Sequence, residues 1–196
     1  MRRMTRVAIV DRQPAMRAGI ESILARAGDV DVVARVDGDR HALAHALYRT
    51  APDVVMLEDA PGRLDGVELA REIKAAGPGV RVLLHADRPA AAQVASAMLA
   101  DADGLVDSGA QPREIVEALR AVAAGRTAFP DLGVRERREL ARSLAAEDHA
   151  ILAMRLAAIP RREIADTLKL DARALGRRLA AMIARLRSGP ATLSVA

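Results

Sequence analysis

Short apolar runs alternate along the first two thirds of the chain with stretches in which apolar residues return every third or fourth position. The runs at 6–10, 30–36, 53–57, 80–85 and 104–106 predict five strands. Each is rich in Val, Ile or Leu on both parities, the pattern of a strand covered on both faces of a parallel sheet. The helical stretches between them lie near 14–27, 39–50, 65–76, 89–101 and 111–124. Gly28, Gly77 and Gly125 stand just past helix ends, where a left-handed residue is wanted. Five such β–α units predict an α/β fold, a doubly wound five-stranded parallel sheet. Its ligand crevice would lie beyond the carboxyl ends of the strands, at Asp11, Glu58, Ala86 and the Asp107–Ser108 pair.

The pattern then changes. Gly125, the Phe129–Pro130 break, Gly133 and a charged run from Arg135 to Arg142 read as a connector holding a linker helix. From Leu144 onward only helical periodicity remains, at 147–157, 161–168 and 172–186. The expected organisation is a sheet domain over 1–125, a linker over 126–143 and a small all-α domain over 144–196.

Charge supports that division. Residues 1–130 hold 17 basic and 18 acidic side chains, whereas 131–196 hold 13 basic and 8 acidic. Beyond Ala172 come Arg173, Arg177, Arg178, Arg185 and Arg187 with no acid among them. A near-neutral front and a basic back suit a polyanion partner; the plainer reading is a solvated helix face. With one Tyr and one Phe, the chain lacks the aromatic platforms of single-strand binders. The absence of Cys excludes disulfides, Cys zinc sites and thiol catalysis. The apolar run Val7–Val10 is too short for a secretory signal, and no stretch reaches membrane-spanning length, so a cytoplasmic protein without membrane contact is expected.

The last helices carry a specific pattern. Ile164, Ala165 and Leu168 form the stripe of one short helix, and Asp171 can N-cap the next. There Leu175, Leu179, Met182, Ile183 and Leu186 recur at core spacing, and Arg173, Gly176, Arg177, Ala180 and Ala184 occupy the other side. Long guanidinium forks among small side chains suit a major groove. Gly176 inside a helix is either a close-approach position or a tolerated imperfection. The segment from Leu144 to Leu186 resembles, without a gap, the LuxR-type helix-turn-helix that ends NarL/FixJ-family response regulators. The resemblance implies that 172–186 is the recognition helix, with contacts to double-stranded DNA from Arg173, Gly176, Arg177 and Ala180; Arg178, and Arg161 and Arg162 at the start of the preceding helix, are further expected contacts. Departures are Ala145-Ala146 for the usual Thr-Pro, Ala158 for a Gly, Ala174-Leu175 for Thr-Val, and a tail, 188–196, that is short for the family's dimerising fourth helix.

The front, with VDRQP after the first strand and APDVVMLED before a DG, resembles the receiver domain of two-component response regulators over about residues 5–125. That resemblance implies a pocket of two adjacent acids, an acceptor Asp, a Thr or Ser and a Lys, which together hold Mg²⁺ and a phosphoryl group. Here the corresponding positions are Asp11 with Arg12, then Glu58, Ala86 and Ser108, and the aromatic switch position is Leu105. A cation where the metal needs an anion argues against Mg²⁺, and no other cofactor or catalytic centre is expected. Glu58 then either imitates a phosphorylated Asp or belongs to a decayed pocket in which it pairs with Arg12.

The expected function is that of an atypical, orphan response regulator. It would be a non-enzymatic transcription regulator acting as a homodimer on DNA, with RNA polymerase and a small-molecule effector as further partners. The resemblance also implies a role as an activator of an antibiotic-type pathway, since regulators with such altered pockets in the resembling family include them. Two alternatives stand beside it: an interaction adaptor whose helix-turn-helix no longer reads DNA, and a regulator phosphorylated at Asp59. His41 and His45 read as solvent-facing, and His85, at the end of the fourth strand, either lines the altered pocket or is a structural core histidine.

Overall fold

The computed structural model describes residues 3–60, 64–77 and 79–188. Five strands, β1 (Thr5–Val10), β2 (Val30–Val36), β3 (Val54–Glu58), β4 (Arg81–Ala86) and β5 (Gly104–Asp107), form one parallel sheet in the order β2-β1-β3-β4-β5. The helices are α1 (Pro14–Ala25), α2 (Arg40–Thr50), α3 (Gly66–Ala76), α4 (Ala91–Leu99), α5 (Pro112–Ala123), α6 (Val134–Arg142), α7 (His149–Leu156), α8 (Arg161–Leu168) and α9 (Ala172–Ser188). All ten elements expected in the front part are present, and the expected fold class is the observed one.

Local chemistry sets the element ends. Pro14 opens α1, where its missing N–H costs nothing. Asp39 and Asp65 cap α2 and α3 by accepting the amides of Ala42 and Glu68 at 2.8 and 2.9 Å. Gly28 and Gly125 take left-handed φ of 75° and 79°, as their place after α1 and α5 requires. Gly77 does not: its φ is −151°, and α3 ends without a left-handed residue.

The contacts divide the described chain into two compact units. One comprises the chain up to Arg88 with Ala102–Phe129. In it, Val7, Ile9, Val54, Met56, Leu83 and Val106 pack with Ile20 and Leu24 of α1 and Ile115, Leu119 and Val122 of α5. Strand alternation turns Ala8, Val10, Val55, Leu57 and Leu84, all buried, to the opposite face. The other unit comprises Pro89–Asp101 and the chain from Pro130. Its core includes Leu140 of α6, Ile151 and Leu152 of α7, Ile164 of α8 and the stripe Leu175, Leu179, Met182, Ile183 and Leu186 of α9. The charged run expected as a linker is therefore a packed helix, anchored by Leu140. The tail of the expected fourth helix, 189–196, lies outside the described residues.

Candidate pocket at the strand tips and candidate nucleic-acid interface

Three adjacent strands deliver buried polar side chains to the carboxyl edge of the sheet. Asp11 follows β1, Glu58 ends β3, and His85 stands in β4 directly opposite Glu58 in the parallel register. Paired residues of neighbouring parallel strands point to the same face, so His85 and Glu58 share one side. All three are almost wholly buried. Asp11 Oδ1 accepts the Gln13 amide at 2.6 Å, in a local turn that starts α1. Glu58 Oε2 accepts the main-chain N–H of Arg12 at 3.0 Å, and Gln13 Nε2 approaches Oε1 at 3.4 Å. Arg12 is exposed. Ser108, just past β5, places Oγ 3.2 Å from His85 Nδ1.

The structure places one further residue beside the expected set. Ala86 is buried at the strand tip, but the β4 side chain that joins Asp11, Glu58 and Ser108 is that of His85. Ala86 pairs with Asp107 and carries the opposite parity. Of the two readings of His85, pocket and core, it meets both: it is buried, and it lies two residues from Leu83, whose side chain lines the α1–α5 core. Between the two candidate acids, the carboxylate bonded to the β1–α1 turn belongs to Glu58. Asp59 is also buried, and its amide donates to His85 O at 2.9 Å.

Electrostatics follow from the burial. Asp11 Oδ2 and His85 Nε2 are 3.6 Å apart, and each lacks a hydrogen-bond partner among the described residues. Loss of water raises the Asp11 carboxyl to about 6, aided by the nearby Glu58 charge and opposed by the Gln13 amide and Arg17. Loss of water likewise lowers His85 to about 4, against the pull of Glu58 and Asp59. At neutral pH the imidazole is neutral. In one tautomer Ser108 O–H donates to Nδ1 and Nε2–H faces the Asp11 carboxylate across 3.6 Å, too far for a hydrogen bond.

This donor set does not fit Mg²⁺. The ion needs several oxygen ligands in octahedral order. Here the open oxygen of Asp11 faces an imidazole nitrogen, Glu58 is bonded to an amide, and the place of a second acid is taken by Arg12. Among the described residues, no three His, Cys, Asp or Glu side chains are placed to hold a metal.

The second site is a helix face. Lys169, with φ of 55°, ends α8 in a left-handed turn, and Asp171 caps α9 by accepting the Ala174 amide at 2.7 Å. Burial of the apolar stripe fixes the rotation of α9. Arg173 and Arg177 stand exposed on the other side, with Gly176 and Ala180 half-buried beside them. Arg162 is exposed at the start of α8. Two expected contact residues are engaged within the fold. Arg178 donates to Asp148 at 2.7 Å and to the carbonyl of Glu147. Arg161 pairs with Asp101 and donates to Leu99 O at 3.0 Å. No spacing in the sequence signals either partner.

Residues 7–120 match the response regulator receiver domain family. The chain is 29% identical over 124 residues to the uncharacterized transcriptional regulatory protein YxjL of Bacillus subtilis, which aligns 63% of this chain with 56% of that one. Among solved structures, a two-component response regulator of the LuxR family from Aurantimonas sp. SI85-9A1 is 28% identical with a TM-score of 0.60, over 71% of this chain and 96% of that one. A structure of two RcsB dimers bound to two parallel DNAs superposes with a TM-score of 0.61 at 21% identity, over 95% and 93% of the two chains, a likeness of fold. The match spans less than two thirds of the length of the curated relatives, 56% of YxjL and 60% of the nitrate/nitrite response regulator protein homolog of Haemophilus influenzae.

Proposed function

The chain belongs to the response regulator receiver family, and on that premise we propose that it is a sequence-specific transcription regulator. It binds double-stranded DNA through α9 as a homodimer, and Mg²⁺-dependent aspartyl phosphorylation does not control it. The observation that carries this reading is the exposed pair Arg173 and Arg177 on a helix whose other side is core. One helical turn apart, they can enter a major groove and bond guanine edges bidentately. Gly176 and Ala180 keep the backbone near the bases, and Arg162 meets phosphate. Arg161 and Arg178, held by acids, position the helices that present this face. The name of YxjL and the DNA-bound dimers of RcsB support the assignment. Against phosphate control stand Arg12 at the second-acid position, the Asp11–His85 contact and Ser108 at the lysine position. Control then falls to expression level, a small molecule or a protein partner.

The test is fluorescence anisotropy on genomic fragments selected by the wild-type protein. Arg177→Ala is expected to lose roughly 1–3 kcal/mol of affinity if it reads a base. Wild-type affinity should fall steeply as salt rises, through counterion release. A chain that selects no duplex at any salt would instead be an adaptor. Intact mass after incubation with acetyl phosphate and Mg²⁺ should show no adduct; an adduct lost in Asp59→Asn would restore phosphate control.

A further inference from the structure

Helix α4 lies inside the region that matches the receiver family, yet it packs chiefly against α9 and also against α7 and α6, within the helical unit. No residue from Ala91 to Ala100 is exposed, and Ala91, Val94, Ala95, Ser96, Ala97, Leu99 and Ala100 are buried. A helix covered all round is a core element, and its small side chains let α9 come close.

Its carboxyl end is tied down by arginines. The last carbonyls of a helix lack intrahelical partners and carry the negative end of its dipole. Here Met98 O accepts Arg155 of α7 at 3.2 and 2.5 Å, and Leu99 O accepts Arg161 of α8 at 3.0 Å. Asp101 pairs with both guanidinium groups, 2.7 Å from that of Arg155. Arg155 is buried, so Asp101 supplies the counter-charge it needs. The segment 89–101 is also bracketed by two non-glycine residues in left-handed conformation, Arg88 with φ of 42° and Asp101 with φ of 63°. Such conformations cost energy and persist where the surroundings demand them.

We propose that α4 is a structural helix of the DNA-binding unit, fixing α7, α8 and α9 so that Arg173 and Arg177 face outward, with Asp101 as the positioning residue. The affinity part rests on the DNA-reading assignment of α9; the packing part does not. A restraining lid would lie on the arginine row. Instead Arg173 and Arg177 are exposed while α4 packs on α9, whose buried side is the apolar stripe.

The test uses the full chain with Asp101→Ala, the milder Asp101→Asn, and Asp87→Ala as an exposed control for the change of charge. Hydrogen exchange in 149–188 should accelerate at least roughly tenfold in Asp101→Ala, because a buried cation has lost its partner. Exchange in β1 and β3 should not change. Affinity for the selected duplex should fall by a similar factor, with Asp101→Asn between it and wild type. Asp87→Ala should bind as wild type or slightly tighter. That direction is discriminating, since removing an acid and freeing Arg161 would otherwise strengthen binding to phosphates. Unchanged exchange in 149–188 overturns the structural role, and increased affinity shows α4 to be a restraint. If the wild-type chain binds no duplex, the reading of α9 fails and the affinity part with it, while exchange still decides whether α4 holds the helices.

Discussion

Asp11→Asn tests the electrostatics of the strand-tip pocket. The wild-type carboxyl rises from 3.8 to about 6 because burial removes its water, with Glu58 adding to the rise and Arg17 and the Gln13 amide opposing it. A group whose pKa is raised by folding contributes stability below its unfolded value and loses it as pH climbs through the folded value. About two units at 1.36 kcal/mol each make the ionised, folded Asp11 a cost of about 3 kcal/mol above pH 6. Asparagine keeps an acceptor for the Gln13 amide. Once the ring takes the tautomer with its proton on Nδ1, donating to Ser108 Oγ, the asparagine offers an N–H to His85 Nε2, which has no partner among the described residues. The variant should therefore be more stable than wild type by up to about 3 kcal/mol at pH 7.5. The gain should shrink to about half near pH 5 and vanish toward pH 3.8. His85 works in the opposite sense: lowered to about 4, it makes both proteins gain stability between pH 4 and 6.5, and this contribution cancels in the difference. Urea titrations at a series of pH values measure that difference. A variant less stable than wild type at pH 7.5, or a difference that does not vary with pH, refutes the argument.

Other substitutions probe the backbone. A Cβ on Gly66 would lie 2.3 Å from Glu58 O and 2.9 Å from Asp59 Cα, so Gly66→Ala must move β3 or α3. It should lose at least about 2 kcal/mol of stability by thermal unfolding. Gly176 has nothing within 4 Å of its Cβ position, so Gly176→Ala should gain roughly 1 kcal/mol of stability from helix propensity. If α9 closes on a groove, the same variant binds its duplex more weakly; unchanged affinity would place Gly176 away from the DNA. Ala158 holds φ of 58°, where the resembling family has glycine. Ala158→Gly should leave stability level or raise it by up to about 1 kcal/mol, as relief of left-handed strain outweighs the freer unfolded chain. Calorimetry showing a larger loss would contradict that.

The elements were legible because their signals are local. Val and Ile runs, the Pro14 start, Gly28 and Gly125 as helix ends, Asp171 as a cap and the α9 stripe each depend on a few neighbouring residues. So was the exposure of Arg173 and Arg177, which follows from 3.6-residue periodicity once the stripe is buried. Asp11 and Glu58 at the strand tips were legible for the same reason, since a parallel sheet places its crevice there.

What remained is decided between distant residues. His85 shares a face with Glu58 because β3 and β4 pair the two residues, and a shift of one residue would reverse every side chain of β4. Arg161 and Arg178 turn from the solvent because Asp101 and Asp148 lie within reach, and α4 joins the helical unit because its Ala-rich face fits α9 and its carbonyls take two guanidinium groups. A pattern of period two or 3.6 fixes which way a side chain points relative to its own element. Its partner is chosen only when all elements pack at once, because burial and ion pairing depend on the whole of the surrounding chain.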